Sequence, residues 1–171
     1  FIAKTSSPAL PHLAATISNL SGNILYRALV SLDAEIKSRQ RIFNESAAAL
    51  GVDKLDINSY HKYYKGGRLI SPLPHLVIII DEFAQLKTQQ PEFLSQLVNV
   101  AQVGRSLGIH LILATQKPSG IVDPQIMSNA RFKVCLKVAD KQDSIDMINK
   151  PDSALIKNPG RLYLQVGYDE I

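Results

Sequence analysis

The stretch that most constrains the fold is Leu76-Val77-Ile78-Ile79-Ile80-Asp81-Glu82, where five apolar residues, four of them β-branched, run straight into two carboxylates. Polar residues do not alternate with the apolar ones. The run therefore predicts a strand buried on both faces, as in a parallel sheet covered by helices. Pro72 and Pro74 mark its start. The carboxyl ends of such strands form the edge where open α/β sheets bind ligands. Two consecutive acids at that edge match a Walker B element, in which Asp81 holds a Mg²⁺ ion through water and Glu82 polarises the attacking water. A strand that simply ends in a solvated acidic turn is the competing reading, since so short a motif also arises by chance.

The residues that follow favour the first reading. Pro91 stands at a preferred first helical position, Leu94, Leu97, Val98 and Ala101 form an apolar stripe, and Gly108 closes the helix. A second apolar run, Ile109 to Ala114, predicts another buried strand ending in Thr115-Gln116. Strand, helix and strand over this distance make a right-handed βαβ unit. Gln116 should therefore emerge at the same carboxyl edge as Asp81 and Glu82, which places three polar groups around one crevice.

Upstream, Leu25, Leu29, Leu32, Ile36 and Phe43 recur at helical steps from about Gly22 to Leu50, with Gly51 as the stop. The face bearing Arg27, Glu35, Lys37, Arg39 and Arg41 reads as solvated. Ala14 to Ser18 reads as a short strand and Ile57 to Tyr64 as a short helix whose tyrosines pack it, ended by Gly66-Gly67. Downstream, Asp123-Pro124 opens a brief helix. Phe132, Val134, Leu136 and Val138 then alternate with Arg131, Lys133, Cys135 and Lys137, as in a strand with one wetter face. Asp140 caps another helix, and Arg161 to Val166 form a last strand. His110, set inside an apolar run, reads as a core histidine, and Cys135 as a small strand residue.

Composition narrows the class. The chain of 171 residues is long enough for one domain with a core, and its net charge of +4 falls short of a nucleic-acid signature. A single cysteine excludes an internal disulfide, and no cysteine/histidine cluster suits zinc. No apolar run approaches the length of a membrane span.

Taken together, LPHLVIIIDEFAQL (73–86), QPEFLSQLV (90–98), GRSLGIHLILATQKPSGIV (104–122) and SNARFKVCLKV (128–138) resemble the motor domain of the FtsK/SpoIIIE family, in particular the membrane-associated ATPases of type VII secretion in Gram-positive bacteria. The resemblance implies an α/β fold: a RecA-like P-loop NTPase core with a mostly parallel sheet flanked by helices. Residue by residue, it makes Asp81 the Walker B aspartate and metal residue, Glu82 the catalytic glutamate, and Gln116 the sensor of the γ-phosphate or attacking water. Arg105 resembles an arginine finger offered to a neighbouring subunit. Read without the family, Arg105 is a cation complementing a helix dipole, and Gln116 a loop amide at a strand end.

The implied cofactors are ATP and Mg²⁺. The implied partners are other ATPase domains of the same chain, neighbouring subunits of a homo-hexameric ring and secreted protein substrates, at the cytoplasmic face of the bacterial membrane, which the rest of the parent protein reaches. Nucleic acid is not an expected partner. One family element is missing. No glycine in the chain is followed by lysine, so G-x-x-x-x-G-K-[ST] is absent. The expectation is that residues 1–171 form a single partial domain, the Walker B half, inactive alone and completed by an N-terminal phosphate-binding part of a longer protein. Two alternatives remain: a DNA-translocating motor of the same family, and a catalytically silent copy that docks secretion substrates.

Overall fold

The computed structural model describes residues 11–17, 22–84, 91–116 and 124–167. Helix α1 spans Gly22–Leu50, the range that the apolar spacing predicts. It ends at Gly51, whose φ of 68° is the left-handed conformation that a glycine stop supplies. Residues 14–17 form no strand, contrary to expectation, and are exposed; Ser18 lies outside the described residues. Helix α2, Ile57–Lys65, is fixed at its start by a reciprocal capping box. The Ser59 amide donates to Asp56 Oδ1 at 2.8 Å, while the Asp56 amide donates to Ser59 Oγ at 2.9 Å. Tyr60 is buried and donates to the Ser71 carbonyl, so it packs the helix as predicted.

Strand β1, Leu76–Ile80, pairs in parallel with β2, Ile109–Leu113, and helix α3, Pro91–Leu107, makes the crossover between them. The register runs from Leu76 opposite Ile109 to Ile80 opposite Leu113. The return from α3 into β2 is tight enough to need two glycines. A Cβ on Gly104 would stand 2.7 Å from the Ile109 carbonyl oxygen, and one on Gly108, at φ 73°, would stand 2.6 Å from Ile57 Cγ1.

Downstream lie α4 (Pro124–Asn129), β3 (Phe132–Leu136), α5 (Lys141–Ile148), a 3₁₀ turn (Asp152–Leu155) and β4 (Leu162–Val166). Strands β3 and β4 pair antiparallel. Asp140 caps α5 as predicted, accepting from the Gln142 amide. Asp123 and residues 85–86 lie outside the described residues.

The core sits on one side of the parallel pair. Leu76, Ile78 and Leu111 pack against buried Ile36, Phe43, Ile57, Tyr60 and Val100. Towards the carboxyl edge, Ile80 and Leu113 pack against Leu25, Phe83, Phe93, Leu97 and Ile126. Val98 and Ala101 of the predicted α3 stripe are half-buried beside fully buried Leu97.

The structure corrects four burial expectations. Among the described residues β1 and β2 are covered on one face only: Val77, Ile79 and Ile112 stand exposed, Ile79 at 69 %. His110 shares that open face instead of the core, and its Nε2 is 2.9 Å from His75 Nδ1. In β3 the alternation is present but reversed. Lys133 and Cys135 are buried at 7 % and 4 %, whereas Phe132, Val134 and Leu136 point outward. Arg39, expected on a solvated face, is also buried. It donates from Nη1 to the Leu107 carbonyl at 2.9 Å and pairs through Nε with Glu35, satisfying the C-terminal end of α3.

Candidate active site

The parallel register brings the predicted acids and the predicted sensor to one edge. Ile80 and Leu113 are the last paired residues, so Asp81-Glu82 and Thr115-Gln116 leave their strands side by side. Two further backbone bonds extend the ladder past the strands: the Ala114 amide donates to the Ile80 carbonyl at 2.9 Å, and the Phe83 amide to the Ala114 carbonyl at 3.0 Å. Asp81 and Gln116 are exposed and Glu82 is half-buried.

Glu82 has a φ of 51°. A non-glycine residue in the left-handed region costs about 1–2 kcal/mol, and such conformations gather at functional sites. The neighbours explain how it is held. On one side the chain is locked in the β1–β2 ladder, and on the other Phe83, 1 % exposed, is anchored in the core. The backbone turns sharply at Glu82 because both flanks are fixed.

Thr115 was not among the residues that sequence reasoning singled out. Its Oγ1 donates to Glu82 Oε1 at 3.1 Å, a direct contact between side chains at the two strand ends. The signal was present, since a hydroxyl residue sits between the strand end and Gln116. A neighbouring threonine, however, has no partner legible from sequence.

Arg105 does not join this group. It lies exposed in the last turn of α3, three residues before Gly108 and beside the amino end of β2. The acids lie past the far end of the strand, at least five residue steps or about 16 Å along it. At that opposite edge stand His61, His75 and His110. The rings of His61 and His75 meet edge-on at 5.2 Å, and His75 is held below the usual histidine range. Loss of water around its ring is the first cause, although the residue as a whole is exposed; the positive charge of His110, His61 and Arg39 follows. Among the described residues no three His, Cys, Asp or Glu side chains are grouped to hold a metal ion. Two shallow clefts lie elsewhere, one beside the 3₁₀ turn and one of about 500 Å³ between α1 and α3.

The FtsK/SpoIIIE family model matches residues 4–120, which include β1, α3, β2 and the whole carboxyl edge. The chain belongs to the FtsK/SpoIIIE family. It is 56 % identical over 162 residues to the type VII secretion system protein EssC of Staphylococcus aureus, which covers 95 % of this chain and 10 % of that protein. It is 49 % identical over 164 residues to the ESX secretion system protein EccC of Geobacillus thermodenitrificans, covering 95 % of this chain and 11 % of the relative. The chain thus spans about a tenth of the length of these relatives. Among solved structures, the cytoplasmic domain of the type VII secretion ATPase EccC of Thermomonospora curvata superposes with a TM-score of 0.77 at 27 % identity, covering 92 % of this chain and 18 % of that one. The FtsK/SpoIIIE domain described here accordingly has the RecA-like P-loop α/β fold, with a parallel pair flanked by helices at its centre.

Proposed function

We propose that residues 1–171 are the Walker B half of an ATPase module that couples ATP hydrolysis to protein export by a type VII secretion system. The observation that carries this reading is the edge itself: Glu82, in a left-handed conformation beside Asp81, sits across the ladder from Thr115-Gln116 in a domain of a motor-ATPase family. Asp81, exposed at the strand end, has the donor and the access that a water-bridged Mg²⁺ requires. That ion would neutralise charge on the transferring phosphate. In the proposed reaction, Glu82 orients a water and takes its proton, and Gln116 hydrogen-bonds the γ-phosphate or that water. The water oxygen bonds to phosphorus as the bond to ADP breaks.

The exposed faces of both strand pairs support the remainder of the assignment. Val77, Ile79 and Ile112 on one, and Phe132, Val134 and Leu136 on the other, are what a further layer of the same module would cover. We assign that layer to the phosphate-binding part of the parent protein, which also supplies the lysine loop missing here.

Arg105 serves in trans in this reading. Its exposure at the edge away from its own acids supports a role towards a neighbour's nucleotide, which a homo-hexameric ring would bring close. No helix among the described residues is long and apolar enough to cross a membrane. The parent's other segments would hold the ring at the cytoplasmic face of the membrane and bind the secreted proteins.

The test is Glu82→Gln in the full-length protein. ATP binding is expected to persist, while turnover by this module and export of the secreted substrate are lost; unchanged hydrolysis overturns the assignment. Arg105→Ala should spare nucleotide affinity and remove the acceleration on assembly, since a finger contributes roughly 10³–10⁵ in rate. Assemblies that hydrolyse ATP at the wild-type rate would make Arg105 a helix-end cation.

A further inference from the structure

We propose that Thr115 is a positioning residue for Glu82, holding one carboxylate oxygen so that the other is presented to the attacking water. The proposal rests on Glu82 being the general base.

The geometry that carries it begins in the backbone. The Ala114–Ile80 and Phe83–Ala114 bonds set residue 115 directly across from residue 82. The positive φ at Glu82 and the burial of Phe83 then fix where the glutamate side chain leaves the chain. What the backbone cannot fix is the end of that side chain, three rotatable bonds out. The threonine hydroxyl does so, by donating to Oε1 at 3.1 Å. A carboxylate accepts through both oxygens, so the bond to Oε1 leaves Oε2 to receive a proton from water. The arrangement is the base-and-orienter pairing that activated nucleophiles share, with threonine as the orienter.

Threonine suits the task. Its β-branched χ1 is stiff, and Thr115 is itself half-buried. The position also couples two roles. Gln116 is the next residue, so a shift of this segment when Gln116 meets the γ-phosphate would move the hydroxyl, and with it the Glu82 carboxylate. The base would then be aligned by the same short segment that reads the phosphate.

The experiment is a set of variants in the full-length protein, read by steady-state hydrolysis and by binding of a fluorescent ATP analogue. Glu82→Gln first defines the share of hydrolysis due to this module. Thr115→Val keeps the shape and removes the donor. It should lower kcat of that share by about 10- to 100-fold, the scale of a misaligned catalytic group, with KM and analogue affinity unchanged. Thr115→Ser keeps the donor and should retain activity within about threefold of wild type, on the scale of a small change in rotamer freedom. In the Glu82→Gln background Thr115→Val should cause no further loss, because the two residues act as one unit.

If Thr115→Val also weakens nucleotide binding or lowers the unfolding temperature, the serine variant decides. Serine as inactive as valine means that the methyl group matters and overturns the proposal. Glu82-dependent hydrolysis that Thr115→Val leaves within about twofold, a margin well short of a lost catalytic contact, overturns it alone. Total hydrolysis that Glu82→Gln leaves unchanged overturns it together with the reading of Glu82 as base.

Discussion

The two strand pairs of this domain are built to opposite plans. The parallel pair, β1–β2, is apolar on both faces, and only the face towards α1, α2 and α3 is covered. The antiparallel ribbon, β3–β4, is apolar on one face, and that is the exposed one. Phe132, Val134, Leu136, Leu162 and Leu164 stand outward, while Lys133, Cys135 and Gln165 face inward, where α5 packs on β3. The difference teaches what strand hydrophobicity records. In the proposed module it counts the layers a strand would meet in the full-length protein, not those supplied by its nearest neighbours in sequence. For the parallel pair half of the expected burial is present; for the ribbon the apolar half is the part still open.

The largest effects should come from inner faces, where the two regions are alike. Leu97→Ala beneath the parallel pair and Ile148→Ala in α5 each empty a fully buried position, and should each cost about 2–5 kcal/mol in urea unfolding. A cost below about 1 kcal/mol at either site would mean that its layer is not a packed core and would break the symmetry.

Outer faces sharpen the contrast. Ile79→Ser and Phe132→Ser should stay within about 0.5 kcal/mol in the 171-residue chain, as surface changes do. In the full-length protein the same substitutions should approach core values, with a matching fall in unfolding temperature. Equal effects in both settings would show that nothing covers these faces.

A smaller effect is expected at α2, which abuts the amino end of the parallel pair. Asp56→Ala removes the capping box and should cost about 1 kcal/mol. The hydroxyl of Ser59, and then its amide, hold the Asp56 carboxyl below its ordinary range. Its stabilisation is therefore present above the unfolded value of 3.8 and is lost as pH falls through the lower folded one, so wild type and variant should converge in strong acid.

The smallest effect is a pH response confined to one region. The histidines are His12, His61, His75 and His110, none of them in the ribbon half. His75 binds its proton less readily folded than unfolded, so the unfolded chain takes up more protons as pH falls through its ordinary 6.5. Stability should decline over that window, and His75→Gln should flatten the decline. An equal decline in the variant would place the response elsewhere.

Much of the domain was legible in its sequence. The 29 residues of α1, the short α2, the proline-led α3 and the glycine at each bend are local matters, fixed by 3.6-residue spacing and by turn chemistry within a few residues. The meeting of Asp81, Glu82 and Gln116 at one edge followed from the crossover, because a single helix between two apolar strands forces them parallel. The tertiary structure decided the rest. Arg39 turned inward because the carbonyl at the end of α3 needed a donor, and that carbonyl lies 68 positions away in sequence. His110 turned outward because the helices that pack on its strand lie against the other face. The contact between Thr115 and Glu82 spans 33 positions and depends on a ladder that continues beyond both strands. Period-two alternation says that a strand has two unlike faces; which face meets protein and which meets water is set by the layers packed against it.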